Sequence, residues 1–326
     1  MQTLSQQHYI DGIKDGNTIV LSRAITLLES TRSDHQALAR EVLEELLPLT
    51  GRSKRLGVTG VPGVGKSTFI EAIGELLIED DKKLAVLAVD PSSQLSKGSI
   101  LGDKTRMEKL SAHPSVFIRP TAAGDALGGV GRRTRETILL CEAAGFDYVL
   151  VETVGVGQSE IAVHSMVDCF LLLLLSGAGD ELQGIKRGIM EMADIIAINK
   201  AFINSELKPQ AKQAMQELRN ALHYFPEKDY SWLTKVRATD SLEGDGVQKM
   251  VETLDSFFNH QRLKGYDLER RKKQDLFWFH ETIRSRLLSQ FYQNDEKQKE
   301  IAQMVAAIEA GRISSFKAAD VLFEKE

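Results

Sequence analysis

At 326 residues the chain is long enough for about two domains, and with 42% hydrophobic residues it can build a packed core without being a membrane protein. A formal net charge of −5 gives no reason to expect nucleic acid or an anionic membrane as a partner. Cys141 and Cys169 lie in apolar segments without metal-ligand spacing and read as buried thiols of a reducing compartment. The N-terminal residues contain no apolar signal region. The longest apolar run, Cys169 to Leu175, is far too short to span a bilayer, so the expected location is cytoplasmic.

Residues 1–50 read as a helical extension. Ile19, Ala24, Ile25, Leu27 and Leu28 form an apolar cluster. Leu38, Val42, Leu43, Leu46 and Leu47 then recur at three- and four-residue spacing after a Ser33/Gln36 capping box, and Pro48 and Gly51 close the helix.

From 51 to 261 short apolar runs alternate with amphipathic stretches. The predicted strands are Arg55–Thr59, Leu84–Val89, Val116–Ile118, Tyr148–Glu152, Phe170–Leu175, Ile195–Asn199 and Val236–Ala238. Most lack polar alternation, as strands covered on both faces should. Helices are expected over 66–79, 131–144, 182–192, 207–222 and 246–259. The fold class is therefore α/β: a doubly wound, mostly parallel sheet that binds ligands at the carboxyl ends of its strands.

The first strand runs into Gly60-Val61-Pro62-Gly63-Val64-Gly65-Lys66-Ser67-Thr68, which satisfies G-x-x-x-x-G-K-[ST] at every fixed position. Glycines let successive backbone N–H groups close around a polyphosphate, and the helix that follows presents further unpaired N–H groups and a favourable dipole. In such a loop Lys66 reaches the β- and γ-phosphates and the Ser67 hydroxyl binds Mg²⁺. Two later strands end in carboxylates, Asp90 and Glu152, which suits Mg²⁺ because it retains waters and needs few protein ligands. Asp103, opening a predicted helix over 103–111, is a further metal candidate or a plain N-cap.

After residue 261 the composition changes. Residues 262–274 form a charged run read as the solvated first turns of a long helix. Leu276, Phe277, Trp278 and Phe279 follow, then Ile301, Met304, Val305 and Ile308 at helical spacing, with Gly311 as a stop. A helical arm over 262–326 cannot bury such a stripe alone.

Taken together, Gly60–Thr68, Val89-Asp-Pro-Ser-Ser93, Gly102-Asp-Lys-Thr-Arg-Met107, Glu152-Thr-Val-Gly-Val-Gly-Gln-Ser-Glu160 and Gly179-Asp-Glu-Leu-Gln-Gly-Ile-Lys-Arg-Gly-Ile-Met190 resemble the methylmalonyl-CoA mutase-associated G-proteins. These are P-loop GTPases that act as chaperones for adenosylcobalamin-dependent acyl-CoA mutases. The resemblance implies GTP and GDP as ligands. It places Mg²⁺ among Ser67, Asp90, Asp103 and Glu152, with Lys66, Asp90 and Glu152 carrying catalysis. It also implies that Ser176–Lys186 is a switch facing the mutase, through Gly179, Asp180, Gln183 and Lys186, and that the C-terminal arm makes a homodimer. The function implied is gating of cofactor loading and protection of the mutase.

Two departures from the family pattern stand out. The guanine-reading motif Asn-Lys-x-Asp here reads Asn199-Lys200-Ala201-Phe202, and Phe202 cannot accept the hydrogen bonds of guanine. Losing such a paired contact costs ~1–3 kcal/mol of discrimination, so a relaxed base preference is expected. Asp240-Ser241-Leu242 stands where the family has Ser-Ala-Leu, and its backbone can still meet the base. Gly124 replaces a usual arginine in the loop before Leu127. An ATP-using kinase or ATPase, or a nucleotide-binding scaffold with little turnover, are the alternative readings.

Overall fold

A computed structural model describes residues 3–90, 107–122, 127–153, 159–175 and 187–324, with backbone alone at Asp90, 121–122, 127–130 and Ser159. Two compact units divide the chain, Met1–Gln274 and Asp275–Glu326.

The first unit is organised by seven parallel strands: β1 (Lys54–Gly60), β2 (Leu84–Asp90), β3 (Val116–Ala122), β4 (Tyr148–Thr153), β5 (Cys169–Leu175), β6 (Ile195–Asn199) and, at the far edge, a strand over Lys235–Ala238. Their order is β3-β2-β4-β1-β5-β6 followed by that last strand. All seven predicted strands are in this sheet. The central ones are buried along both faces, which is why their sequences are apolar without alternation.

One face is covered by α4 (Lys66–Glu79) and by a later helix over Val247–Lys264. Phe69, Ile70, Ile73 and Phe257 are fully buried between them and the sheet. Each such side chain contributes about 1.5–3 kcal/mol relative to exposure. On the other face α6 (Leu127–Ala143) packs against the N-terminal helices α1 (Gln6–Lys14), α2 (Thr18–Glu29) and α3 (Ser33–Leu46). Arg119 of β3 ties this layer down through Glu29, at 2.6 Å. The intervening α5 is one turn, Glu108–Ser111.

Three expectations need correction. Ser33 does not cap α3: the cap residue is Arg32, which makes no side-chain cap bond, and the Gln36 amide instead donates to the Ser30 carbonyl at 3.0 Å. The charged run after 261 is not simply solvated. Arg270 and Arg271 are mostly buried, Arg270 against Asp194 and Arg271 against Asp168. Third, the predicted chain lacks a two-stranded hairpin, β7 (Phe202–Ile203) with β8 (Glu206–Leu207), that precedes α9 (Pro209–Leu222). The short helices α7 (Ser159–His164) and α8 (Arg187–Met192) flank β5, and β9 is the edge strand Lys235–Ala238.

The helix over Val247–Lys264, α10, ends at Gly265, and α11 (Tyr266–Tyr292) follows directly. The second unit takes the rest of α11 with α12 (Asp295–Glu309) and α13 (Ser315–Phe323). Within it Phe291 and Phe323 stack at 5.0 Å, and the Lys297 ammonium donates to the Leu322 carbonyl at 2.9 Å. Both cysteines are buried and free, as expected, and burial pushes both thiols up. Among the described residues no helix is long and apolar enough to cross a membrane.

Candidate nucleotide site

The site lies at the carboxyl edge of the sheet, where β1 turns into α4. Gly65 begins that helix with φ +95°, a left-handed conformation that side-chain-bearing residues rarely adopt. A Cβ there would also sit 2.8 Å from the Asn199 amide nitrogen. Among the described residues no side chain caps the helix, which leaves its first N–H groups for an anion.

Lys66 is 8% exposed, and its ammonium donates to the carbonyls of Gly60 at 2.8 Å and Val61 at 3.2 Å. The charge is thus held inside the turn of the loop that a polyphosphate would enter. The Ser67 hydroxyl donates to Glu152 Oε1 at 2.9 Å. Strand register explains the meeting. Val58 pairs with Glu152, so the tip of β4 stands beside the loop that leaves β1. The Thr153 hydroxyl donates to that of Thr59 at 2.9 Å and clamps the two strand tips. A hydroxyl and a carboxylate from adjacent elements are hard oxygen donors, and they fit a Mg²⁺ ion. Asp90 ends β2, next to β4, and its backbone pairs with Ala122. Asp103, Gly179, Asp180, Gln183 and Lys186 lie outside the described residues.

Opposite the phosphate loop the chain builds a second wall. Asn199, at the end of β6, is 1% exposed. Its amide nitrogen donates to the Val64 carbonyl at 2.9 Å. Its Oδ1 accepts from the Ser241 backbone N–H at 3.1 Å and the Ser241 hydroxyl at 2.8 Å. One side chain therefore ties the phosphate loop to the 239–242 loop. Lys200 donates to the Gly63 carbonyl at 3.1 Å, so Asn199 and Lys200 both hold the phosphate loop.

Phe202 starts β7, and the hairpin turns at Asn204 and Ser205, which have φ of +49° and +61°. Consecutive positive φ values mark a type I′ turn, for which Asn-Gly is the sequence signal. Serine in the second position hides it.

A cavity of about 610 Å³ opens between these walls, lined by Gly65, Thr68, Asn199, Lys200, Phe202 and Asp240 among others. Asp240 and Ser241 are buried, whereas Leu242, which also lines the cavity, is 80% exposed. The structure therefore brings together Gly65 to Thr68, Glu152, Asn199, Lys200, Phe202, Asp240 and Ser241. The tethering role of Asn199 was not read from the sequence.

The family model described as "Methylmalonyl Co-A mutase-associated GTPase MeaB" matches residues 21–296. A curated protein of Caulobacter vibrioides named "Putative GTPase" is 47% identical over 94% of this chain and 93% of its own length. The mouse protein "Methylmalonic aciduria type A homolog, mitochondrial" is 41% identical over 98% of this chain and 80% of its own. A solved structure described as "LAO/AO transport system kinase" superposes with a TM-score of 0.76 at 34% identity and covers 99% of both chains.

Proposed function

The chain belongs to the methylmalonyl-CoA mutase-associated GTPase family, and from that premise we propose that it is a Mg²⁺-dependent GTPase serving an adenosylcobalamin-dependent acyl-CoA mutase. The observation that carries the enzymatic half is the contact of Ser67 with Glu152 at the foot of an uncapped phosphate-loop helix. In the triphosphate complex the α4 N–H groups and the Lys66 ammonium bind and orient the phosphates. Ser67 and Glu152 would hold the metal, with Asp90, at the end of the neighbouring strand β2, assigned as a further ligand. Bound Mg²⁺ would supply charge neutralisation to the phosphates. Asn199 keeps the loop in register while the phosphates are held.

Glu152→Ala and Asp90→Ala are expected to keep GDP binding and to lose Mg²⁺-dependent turnover by about 10²-fold, the scale of removing one electrostatic stabiliser. GTP hydrolysis measured across a Mg²⁺ titration checks this; parental turnover in both variants would remove the metal assignment.

The family name supports a mutase partner, and the chaperone role, gating of cofactor loading and the cytoplasmic setting are part of this reading. Ser176–Lys186, with Gly179, Asp180, Gln183 and Lys186, is the segment assigned to the partner. A switch segment of this kind orders differently with and without a γ-phosphate. Lys186→Ala should leave intrinsic hydrolysis unchanged and remove most of the acceleration by the cognate mutase. Steady-state assays with and without that mutase decide it, and equal stimulation of variant and parent would refute the role. The homodimer is assigned to the C-terminal arm, a reading supported by Leu276, Phe279, Leu287 and Leu288, all more than half exposed.

A further inference from the structure

We propose that Asp240 is the residue that reads the guanine base, its carboxylate accepting from guanine N1–H and the exocyclic amine in the role that Phe202 cannot fill. This rests on the guanine-nucleotide reading above and deepens it.

Asp240 and Phe202 line the same cavity as Gly65, Asn199 and Lys200. Asp240 is only 8% exposed, and a carboxylate that buried requires compensation. Its Oδ1 accepts two long bonds, from the backbone N–H groups of Leu242 at 3.3 Å and Glu243 at 3.4 Å. Oδ2 accepts none among the described residues, and no lysine or arginine among them pairs with Asp240. The second oxygen thus has no protein donor among the described residues, on a residue that lines the nucleotide cavity.

The carboxylate is also held in place. The Asp240 N–H donates to the Asp245 carbonyl, and the Gly244 N–H donates to the Asp240 carbonyl, both at 2.8 Å. The next residue, Ser241, is bonded to Asn199, which grips the phosphate loop at Val64. Asp240 is therefore positioned relative to the phosphates through two hydrogen-bonded residues, the kind of support that a specificity contact needs.

Phe202 has a different role. A Cβ on Gly246 would lie 3.4 Å from Phe202 Cε2, so the Phe202 ring lies close to Gly246, the residue before α10. Two other carboxylates are near. Glu243 is exposed, and Asp245 is only half-buried, so water can satisfy either. Asp240 is the most buried of the three and the one bonded into the loop through its side chain.

The chemistry separates the bases. Guanine offers two donors to a carboxylate. Hypoxanthine offers one. Adenine and xanthine each turn an acceptor toward it and are repelled. An expectation of relaxed base preference assumed that no other carboxylate meets the base; with Asp240 in place a strong guanine preference follows.

The test is competition binding of GDP, IDP, XDP and ADP to the full chain, using a fluorescent GDP analogue as probe. The parent should prefer GDP to IDP and to XDP. Asp240→Asn keeps an oxygen for the Leu242 and Glu243 amides, so the turn should persist, and thermal unfolding verifies it. Its amide nitrogen now donates to xanthine O2, so the GDP:XDP affinity ratio should fall by roughly 10²-fold or more, the scale on which buried polar mismatches discriminate. Adding Phe202→Asp to that variant should restore the preference for GDP. A parent that binds no GDP would overturn the guanine-nucleotide reading itself. Tight GDP binding with a GDP:XDP ratio unmoved by Asp240→Asn, or moved instead by Asp245→Asn, would overturn the Asp240 assignment alone.

Discussion

Lys66→Ala is expected to abolish tight GTP binding while leaving the protein folded. In the structure Lys66 is 8% exposed and its ammonium rests on the Gly60 and Val61 carbonyls inside the loop. A γ-phosphate is a far stronger acceptor for it than a carbonyl. Truncating one partner of a desolvated charge pair costs roughly 2–5 kcal/mol, and here that loss falls on the triphosphate complex. The fold should persist, because the alanine removes the charge together with its loop bonds and is itself the best helix former at a first-turn position. Titration calorimetry with GTP and GDP reads the difference. A variant that binds GTP within threefold of the parent would mean that the loop does not hold phosphates as described.

The largest loss of stability is expected from Asp194→Ala. Asp194, just before β6, is fully buried. It accepts from Lys228 at 3.1 Å, Arg270 at 3.3 Å, the Phe170 N–H at 2.8 Å and the Tyr230 hydroxyl. Removing it strands two mostly buried cations, which costs about 3–5 kcal/mol. Burial alone would raise its carboxyl; the charges of Arg270 and Lys228, with the hydrogen bonds, outweigh burial and hold it below the ordinary value. Arg270 is the firmer partner, its guanidinium raised despite burial. For Lys228 burial wins, and the ammonium lies below its usual range. A lowered carboxyl stabilises the fold above the unfolded value of about 3.9 and ceases to do so as pH falls through its folded value. The parent should therefore lose stability in acid while Asp194→Ala shows a flatter profile there. Urea unfolding at neutral pH and near pH 3 measures both; a neutral-pH loss under 1 kcal/mol would contradict the buried-cluster account.

What could be read without coordinates follows from where the information sits. β4, β5 and β6 are runs such as Tyr148–Val151 and Phe170–Leu175, and a run buried on both faces announces itself locally. The phosphate loop is equally local, a contiguous stretch whose backbone dictates its residue types. Arg270 and Arg271 looked solvated because their partners, Asp194 and Asp168, lie 76 and 103 residues away in sequence. No periodicity carries that pairing. The 202–207 hairpin escaped because its strands are two residues long and its turn uses Asn204-Ser205. The helix over Ser315–Phe323 was missed as a short element beyond a glycine stop. At the site, Ser67 and Glu152 were legible as chemistry, and their 2.9 Å contact depends on strand register. Asn199 was legible as a base-side residue, but its grip on Val64 spans 135 positions.

That grip bears on how the pocket fills and empties. With Asn199 bonded at once to Val64 and Ser241, the chain's own hydrogen bonds hold the two walls in register. The entropy of ordering the loop is met when the chain folds and is not charged again at each encounter with nucleotide. Exchange of diphosphate for triphosphate then resembles swapping a part in a rigid fixture rather than refolding a loop around each arrival. Heat capacity on binding should accordingly reflect the base face removed from water, with little added by coupled folding of these walls.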